Sequence, residues 1–355
     1  MHRAPRRLVP SLVLAVCALT FAAAESLHAQ ERAAVAGPAA LPKPTAPEEL
    51  QKRARYERAE FTMDAHPPVS VGDGVFAETL RFPSPVDTGD PERNDVVHAR
   101  LFRTEEPSAA AVVALGGWKF DPLTPKLAQE LARTGIQVLW IEIPYQGYRT
   151  PKGGHSGELT LSADIARDEA AFVQLAQDVG RGVDWLVRER GVDPKRLGLF
   201  GTSLGGFAAA TLYGMDARWR AVVPQLAGAD IASVLLSDNW LTREIGEELR
   251  ARGYDDASVR AALRAMSPGT WADPQRKDGV LLIAAGEDEI VPLDTTRDLQ
   301  RRYGGADLVV IPDAPHVDME GLKSVFPKVR AHFEKLLLPA QAASGEERGA
   351  PDGGR

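Results

Sequence analysis

A serine hydroxyl is a poor nucleophile at neutral pH. It becomes a useful one only when a base takes its proton and an acid orients that base. One serine of this chain sits where such activation is built, in Gly201-Thr202-Ser203-Leu204-Gly205-Gly206. The apolar run Leu197 to Phe200 precedes it and a helical pattern follows. A serine on a sharp strand-to-helix turn needs tiny neighbours two residues to either side, and Gly201 and Gly205 supply them. Gly206 lets the helix close onto the sheet. The helix start directs the Leu204 N–H toward the place where an oxyanion would form. A bare G-x-S-x-G arises by chance in many chains, so the strand before it and the helix after it are what give this one meaning.

The base must be a histidine at the same edge of the structure. The chain has seven. His2 and His28 lie in the leading segment, His66 stands beside two prolines, and His98 is inside an early strand. His155 is in a glycine-rich loop and His332 within the last helical pattern. Only His316 follows a late strand directly, Leu308 to Ile311, through Pro312-Asp313-Ala314-Pro315. For the acid, Gly286-Glu287-Asp288-Glu289-Ile290-Val291-Pro292 follows the apolar run Val280 to Ala284.

These residues need elements that bring them together. Phe76 to Phe82 and Val96 to Phe102 alternate as half-buried strands do. Ala110 to Leu115, Ile136 to Ile143, Leu197 to Phe200, Ala221 to Val223, Val280 to Ala284 and Leu308 to Ile311 are largely continuous apolar runs. Such runs fit parallel strands buried on both faces. Between them, Phe172, Ala176, Val179, Val183 and Leu186 recur at helical spacing, as do Met319, Leu322, Phe326, Val329, Phe333 and Leu337. Alternating strand and helix predicts an α/β fold, a mostly parallel central sheet with helices on both faces and its site at the carboxyl ends of the strands. Between Ala229 and Asp278, helical stretches at Ile231 to Leu241, Glu244 to Arg252 and Ala257 to Met266 predict a small helical cap, an insert over about 230–278. In it, Trp240 and Leu241 either line a pocket or pack the cap onto the body.

On these residues the chain resembles the α/β-hydrolases over about residues 95–340. The stretch from Gly182-Val183-Asp184-Trp185-Leu186 through Gly191-Val192-Asp193-Pro194-Lys195-Arg196 to the serine turn resembles the branch holding dienelactone hydrolases, acetyl xylan esterases and prolyl oligopeptidases. The resemblance implies the chain order Ser203, Asp288, His316 for nucleophile, acid and base. The implied acid stands three residues before Val-Pro, which is Asp288. One residue fewer than usual separates it from Gly286, which leaves Glu287 and Glu289 open as partners and Asp230 as a remoter one. The resemblance also implies a second oxyanion donor just after Ala110 to Leu115, in Gly116-Gly117-Trp118. The Trp118 N–H takes that position, with the Gly117 N–H as the alternative. Tyr145 and Arg149, after the strand ending at Ile143, either touch substrate or pin their loop.

Composition bounds the rest. Arg3, Arg6 and Arg7 followed by an apolar stretch from Leu8 to Ala24 read as a signal peptide over 1–29, with cleavage before Gln30 or after Ala24. Cys17, the single cysteine, lies inside it, so the mature chain has no disulfide and no cysteine-rich metal site. Net charge is −7, and removing 1–29 takes away three arginines and Glu25 to leave −9, which argues against a nucleic-acid partner. Residues 30–58, with Pro38, Pro42, Pro44 and Pro47, read as a flexible tether carrying a short helix near Glu48 to Arg58. The hydrolase body covers 59–340, and 341–355 read as a disordered tail. The expected function is a carboxylic ester hydrolase acting on a small-molecule ester, periplasmic or secreted, with no organic or metal cofactor and no stable membrane insertion after cleavage. A prolyl oligopeptidase-like peptidase and an inactive hydrolase fold used for binding are the alternatives. N-terminal sequencing of the natural product should find the mature chain starting near Gln30 outside the cytoplasm, and an intact Met1 on a cytoplasmic protein would end that expectation.

Overall fold

The strands that carry the site are apolar on both faces because both faces are covered. The computed structural model describes residues 42–119 and 121–339. Ten strands form one sheet, namely β1 (Asp64–Ala65), β2 (Val69–Gly72), β3 (Val75–Pro83), β4 (Val96–Arg103), β5 (Ala111–Leu115), β6 (Gln137–Ile141), β7 (Leu197–Thr202), β8 (Trp219–Gln225), β9 (Leu281–Ala285) and β10 (Asp307–Ile311). Their order is β1-β3-β4-β6-β5-β7-β8-β9-β10, with β2 paired to β3. From β6 to β10 every pairing is parallel, whereas β1 to β4 pair antiparallel along one side.

Every residue of β5, β7 and β9 is buried. Two helices show how each face is closed. Gly182, in the helix Ile165–Glu189, lies so close to Leu139 and Ile141 that a Cβ there would stand 2.9 and 3.3 Å from them. On the other face Gly198 of β7 admits Phe333 and Leu337 of the helix Phe326–Leu337 equally closely. Val112, Ala114, Phe200, Val223 and Ile283 join that second cluster with Leu127 and Leu131 of the helix Thr124–Ala132.

In chain order the helices are α1 (Pro47–Ala54), α2 (Thr124–Ala132), α3 (Ile165–Glu189), α4 (Leu204–Met215), α5 (Ala232–Leu236), α6 (Arg243–Ala251), α7 (Asp256–Leu263), α8 (Leu293–Arg302), α9 (Met319–Ser324) and α10 (Phe326–Leu337). The strands fall where the apolar runs put them, with ends shifted by a few residues. The periodic stripe from Met319 to Leu337 is two helices rather than one. Pro327 has no N–H to continue the ladder, and it takes its place in the first turn of α10 after a break at Val325.

Residues 47–58 also differ from expectation. The helix is α1, and it belongs to the body. Leu50 is fully buried, Gln177 of α3 donates to the Arg53 carbonyl at 2.7 Å, and Arg53 pairs with Glu169 of α3. The expected signal peptide, residues 30–41 of the expected tether, and the tail fall outside the described residues. Among the described residues no helix is long and apolar enough to cross a membrane. The expected cap insert holds α5, α6, α7 and several 3₁₀ turns between β8 and β9.

One buried ion pair ties the loop after β6 to α3. Arg149 and Asp178 have no exposed side-chain surface and meet at 2.8 Å. The guanidinium also donates to the Asn94 and Glu142 carbonyls, and Ser84 Oγ donates to the carboxylate at 2.7 Å. Removing one partner strands a charge in the interior. Arg149→Met should therefore cost about 3–5 kcal/mol in urea denaturation, and adding Asp178→Leu should recover most of it. A loss under about 1 kcal/mol for the single change would mean that the pair does not hold this loop.

Candidate active site

Ser203 stands at the turn from β7 into α4 with φ 53° and ψ −117°. That left-handed backbone is costly for a residue with a Cβ, so the surroundings must impose it. Its N–H donates to the Gln225 carbonyl of β8 at 2.8 Å, and its own carbonyl accepts from Phe207 in α4. A Cβ at Gly201 would stand 2.0 Å from the Gly205 carbonyl oxygen, and one at Gly205 would stand 2.4 Å from the Leu115 and Gly116 carbonyl oxygens. No side chain fits at either position. Leu204 is the first residue of α4, so its N–H has no acceptor within the helix.

His316 and Asp288 meet the serine from the ends of β10 and β9. Ser203 Oγ and His316 Nε2 are 3.0 Å apart. His316 Nδ1 lies 2.9 and 2.8 Å from the two Asp288 oxygens. With Nδ1 protonated toward the carboxylate, Nε2 keeps its lone pair for the serine hydroxyl. Asp288 Oδ1 further accepts the Ile290 and Val291 N–H groups at 2.9 and 2.7 Å. Both residues are buried, Asp288 at 8% and His316 at 6% exposure.

The other three carboxylates that could have served as the acid have no hydrogen bond to the imidazole. Glu287 is exposed, and its backbone N–H donates to the Ala314 carbonyl. Asp230 accepts the Ala232 N–H and pairs with Arg260 of α7. Glu289 reaches the site without reaching the imidazole. One of its oxygens accepts the backbone N–H of His316 at 3.2 Å and the other the Trp240 indole N–H at 3.1 Å. Burial alone would raise the Glu289 carboxyl, but those two donors together with the nearby imidazole hold it below the ordinary carboxylate range.

The loop after β5 is fixed by a residue that belongs to none of the sequence motifs. Asp121 accepts the Gly117 N–H at 3.0 Å and the Leu123 and Thr124 N–H groups at 2.9 and 3.0 Å, and it pairs with the Thr124 hydroxyl. The Thr124 and Thr202 hydroxyls lie 3.4 Å apart, so this cluster touches the serine turn itself. An aspartate just ahead of Thr124-Pro125 at a helix start was the available signal. Gln146 Oε1 accepts the Lys119 N–H at 2.5 Å, and the Trp118 indole donates to the Gly157 carbonyl at 2.7 Å. The loops after β5 and β6 are thereby joined.

Arg149 pins its loop and does not face the serine. Tyr145, at φ 65°, has its N–H on Asn94 Oδ1 and its carbonyl on the Gly157 N–H, and burial pushes its phenol up. Two further carboxyls are raised by burial, Glu142 to about 7 and Asp168 to about 8. Each serves local backbone, Tyr148 and Ser162 respectively. Among the described residues no group of three or more His, Cys, Asp or Glu side chains is arranged to hold a metal. A groove of about 520 Å³ passes Gln51, Arg55, Leu212 and Trp219 at the far end of α4, roughly 18 Å of helix from Ser203.

Asp121→Ala should leave the fold intact, free the Gly117–Trp118 loop, and lower turnover by up to about 10³-fold, the scale of losing one oxyanion donor. Steady-state kinetics beside a melting curve checks this. Wild-type turnover in the variant would show that Asp121 does not hold the loop in its working position.

Comparison with known proteins agrees with this fold. Residues 167–335 match the prolyl oligopeptidase family. The rat acylamino-acid-releasing enzyme is 27% identical over 195 residues, 52% of this chain, and the chain spans about a quarter of that enzyme's length, 25%. Acetyl xylan esterase 1 from Thermoanaerobacterium superposes with a TM-score of 0.63 at 19% identity, covering 83% of this chain and 96% of that one. The acetyl xylan esterase from Paenibacillus sp. R4 gives 0.59 at 16% identity, over 80% of this chain and 91% of that one. Strand order and these likenesses give the chain the α/β-hydrolase fold, and its serine turn and the stretch 167–335 resemble the serine hydrolases of that fold.

Proposed function

We propose that this protein hydrolyses carboxylic esters through an acyl-enzyme, with Ser203 as nucleophile, His316 as base and Asp288 as the acid that orients it. The observation that carries the proposal is the continuous relay from Asp288 through both imidazole nitrogens to a hydroxyl on a left-handed turn. Ser203 Oγ attacks the ester carbonyl as His316 Nε2 takes its proton. The carbonyl oxygen becomes an oxyanion and accepts the N–H groups of Leu204 and Trp118. The second role falls to Trp118 because the Gly117 N–H already donates to Asp121. The tetrahedral intermediate then expels the alcohol, protonated by His316. Water, deprotonated by the same nitrogen, attacks the acyl-serine and regenerates Ser203. Asp288 stabilises the imidazolium at both stages without giving up its charge. None of these steps needs an organic cofactor or a metal. Export to the periplasm or medium, with cleavage before Gln30, belongs to the same proposal.

A peptidase reading has one observation in its favour, the family match over 167–335. Matched ester and amide substrates separate the two. An ester preference much larger than the intrinsic difference in leaving-group reactivity supports the esterase, and equal kcat/KM values support the peptidase.

Ser203→Ala should abolish ester hydrolysis and fluorophosphonate labelling together while barely moving Tm. A residual rate above that of water is expected from the remaining oxyanion donors. Asp288→Asn should cost about 10⁴ in kcat, the scale on which serine proteases suffer when the orienting charge is lost. Glu287→Gln and Glu289→Gln should cost far less. If the Ser203→Ala protein keeps a tenth of its activity, Ser203 is not the nucleophile, and if Glu289→Gln is the crippling change, the acid is misassigned.

A further inference from the structure

We propose that Trp240 is the surface on which the alcohol part of the substrate rests, and that it selects esters whose alcohol carries a flat ring, aryl or sugar. The inference rests on the ester-hydrolase reading above.

Among the described residues the exposed large hydrophobic side chains are Val69, Tyr148, Trp240 and Val317. Tyr148 has a partner, since it stacks on His98 with centroids 5.0 Å apart. Trp240 and Val317 are both linked to His316, one through a shared carboxylate and the other through the chain. Val317 follows it in the chain and is 58% exposed. Trp240 comes from the insert between β8 and β9, is 61% exposed, and is bound to Glu289, whose other oxygen holds the backbone of His316. One carboxylate thus spaces the indole from the base.

The indole is not loosely placed. Asn239, only 3% exposed, fixes the turn before it. Its amide donates to the Val234 carbonyl at 3.0 Å and its oxygen accepts the Leu241 and Thr242 N–H groups, both at 2.9 Å. A large aromatic face kept in water on a rigid turn gains nothing for folding. It is ready to bind a ring without losing side-chain entropy.

The chemistry decides which part of the ester it meets. His316 must hand its proton to the departing oxygen, so the alcohol lies on the histidine's side of Ser203. A surface held beside His316 therefore contacts the alcohol and not the acyl chain. Glu289 keeps lone pairs beyond the two bonds it makes, so a ring bearing hydroxyls would find an acceptor next to the aromatic face.

The test uses the full mature protein and acetate esters, so that the acetyl-enzyme is common to all. Ethyl acetate is compared with phenyl acetate and with a methyl pyranoside carrying one acetyl group. Relative to wild type, Trp240→Ala should lower the ring-to-ethyl ratio of kcat/KM by about five- to tenfold, the scale of one aromatic contact. The loss should appear in KM, with the rate of acetyl-enzyme breakdown unmoved. Trp240→Phe should restore most of the ratio. The arm that falls further, phenyl or pyranoside, names the ring. A series of phenyl esters with lengthening acyl chains should keep its wild-type profile in Trp240→Ala. A ring-to-ethyl ratio unchanged within twofold, or a shifted acyl profile in its place, overturns the inference. Loss of the esterase reading is seen separately, as hydrolysis that survives Ser203→Ala.

Discussion

The backbone at Ser203 is the constraint on which the site depends. A non-glycine residue at φ 53° and ψ −117° costs on the order of 1–3 kcal/mol and persists only where its surroundings leave no alternative. They leave none here. From Gly198 to Thr202 β7 stays in register with β8, so Thr202 pairs with Gln225 and the next N–H, that of Ser203, takes the Gln225 carbonyl. α4 begins at the very next residue, and its first turns lie against the end of β5 at Gly205. The chain has to reverse within one residue, and a left-handed serine is how it does so. The strain sets the direction of the hydroxyl and puts the start of α4 beside it.

Everything else converges on that fixed point from strand ends. The parallel half of the sheet places the carboxyl ends of β5, β7, β9 and β10 along one edge. The proposed donor loop, nucleophile, acid and base can therefore come from segments far apart in sequence. Loops are soft, and the structure stiffens each one with a polar side chain that does no chemistry of its own. Asp121 holds the loop after β5, Gln146 and the Trp118 indole join it to the loop after β6, and Arg149 with Asp178 anchors that second loop to α3.

The parts legible in the sequence are those that burial or local chemistry dictates. Continuous apolar runs gave the strands because both sheet faces are covered, and Ser203, Asp288 and His316 each follow such a run. Other features depend on contacts that no local pattern records. α1 offers only Leu50 and Ala54 to the core among charged neighbours, so it resembles a tether until α3 is seen beside it. The stripe from Met319 to Leu337 keeps helical period across a break because α9 and α10 face the same core, and only Pro327 marks the division. Asp121, Gln146 and Glu289 matter through partners on neighbouring turns or on other loops. Their types were visible and their acceptor roles were not. The run Glu287-Asp288-Glu289 was ambiguous for the same reason, since three adjacent carboxylates differ only in where the turn aims them.

Burial and direction are what favour Asp288 in the proposed triad. An acid that orients a histidine must keep its charge out of water, where the imidazole feels it strongly, and must have its remaining lone pairs satisfied. Asp288 meets both demands, nearly buried and bonded to two backbone N–H groups besides Nδ1. Glu289 meets neither. It is exposed, its field at the imidazole is weakened by water, and its oxygens face an indole and a main-chain N–H with lone pairs left over. Its position suits a different task, fixing where the backbone of His316 lies and where Trp240 lies with it. In the proposed mechanism two adjacent carboxylates thus divide the work, the buried one governing the proton on the imidazole and the exposed one the geometry of the rim around it.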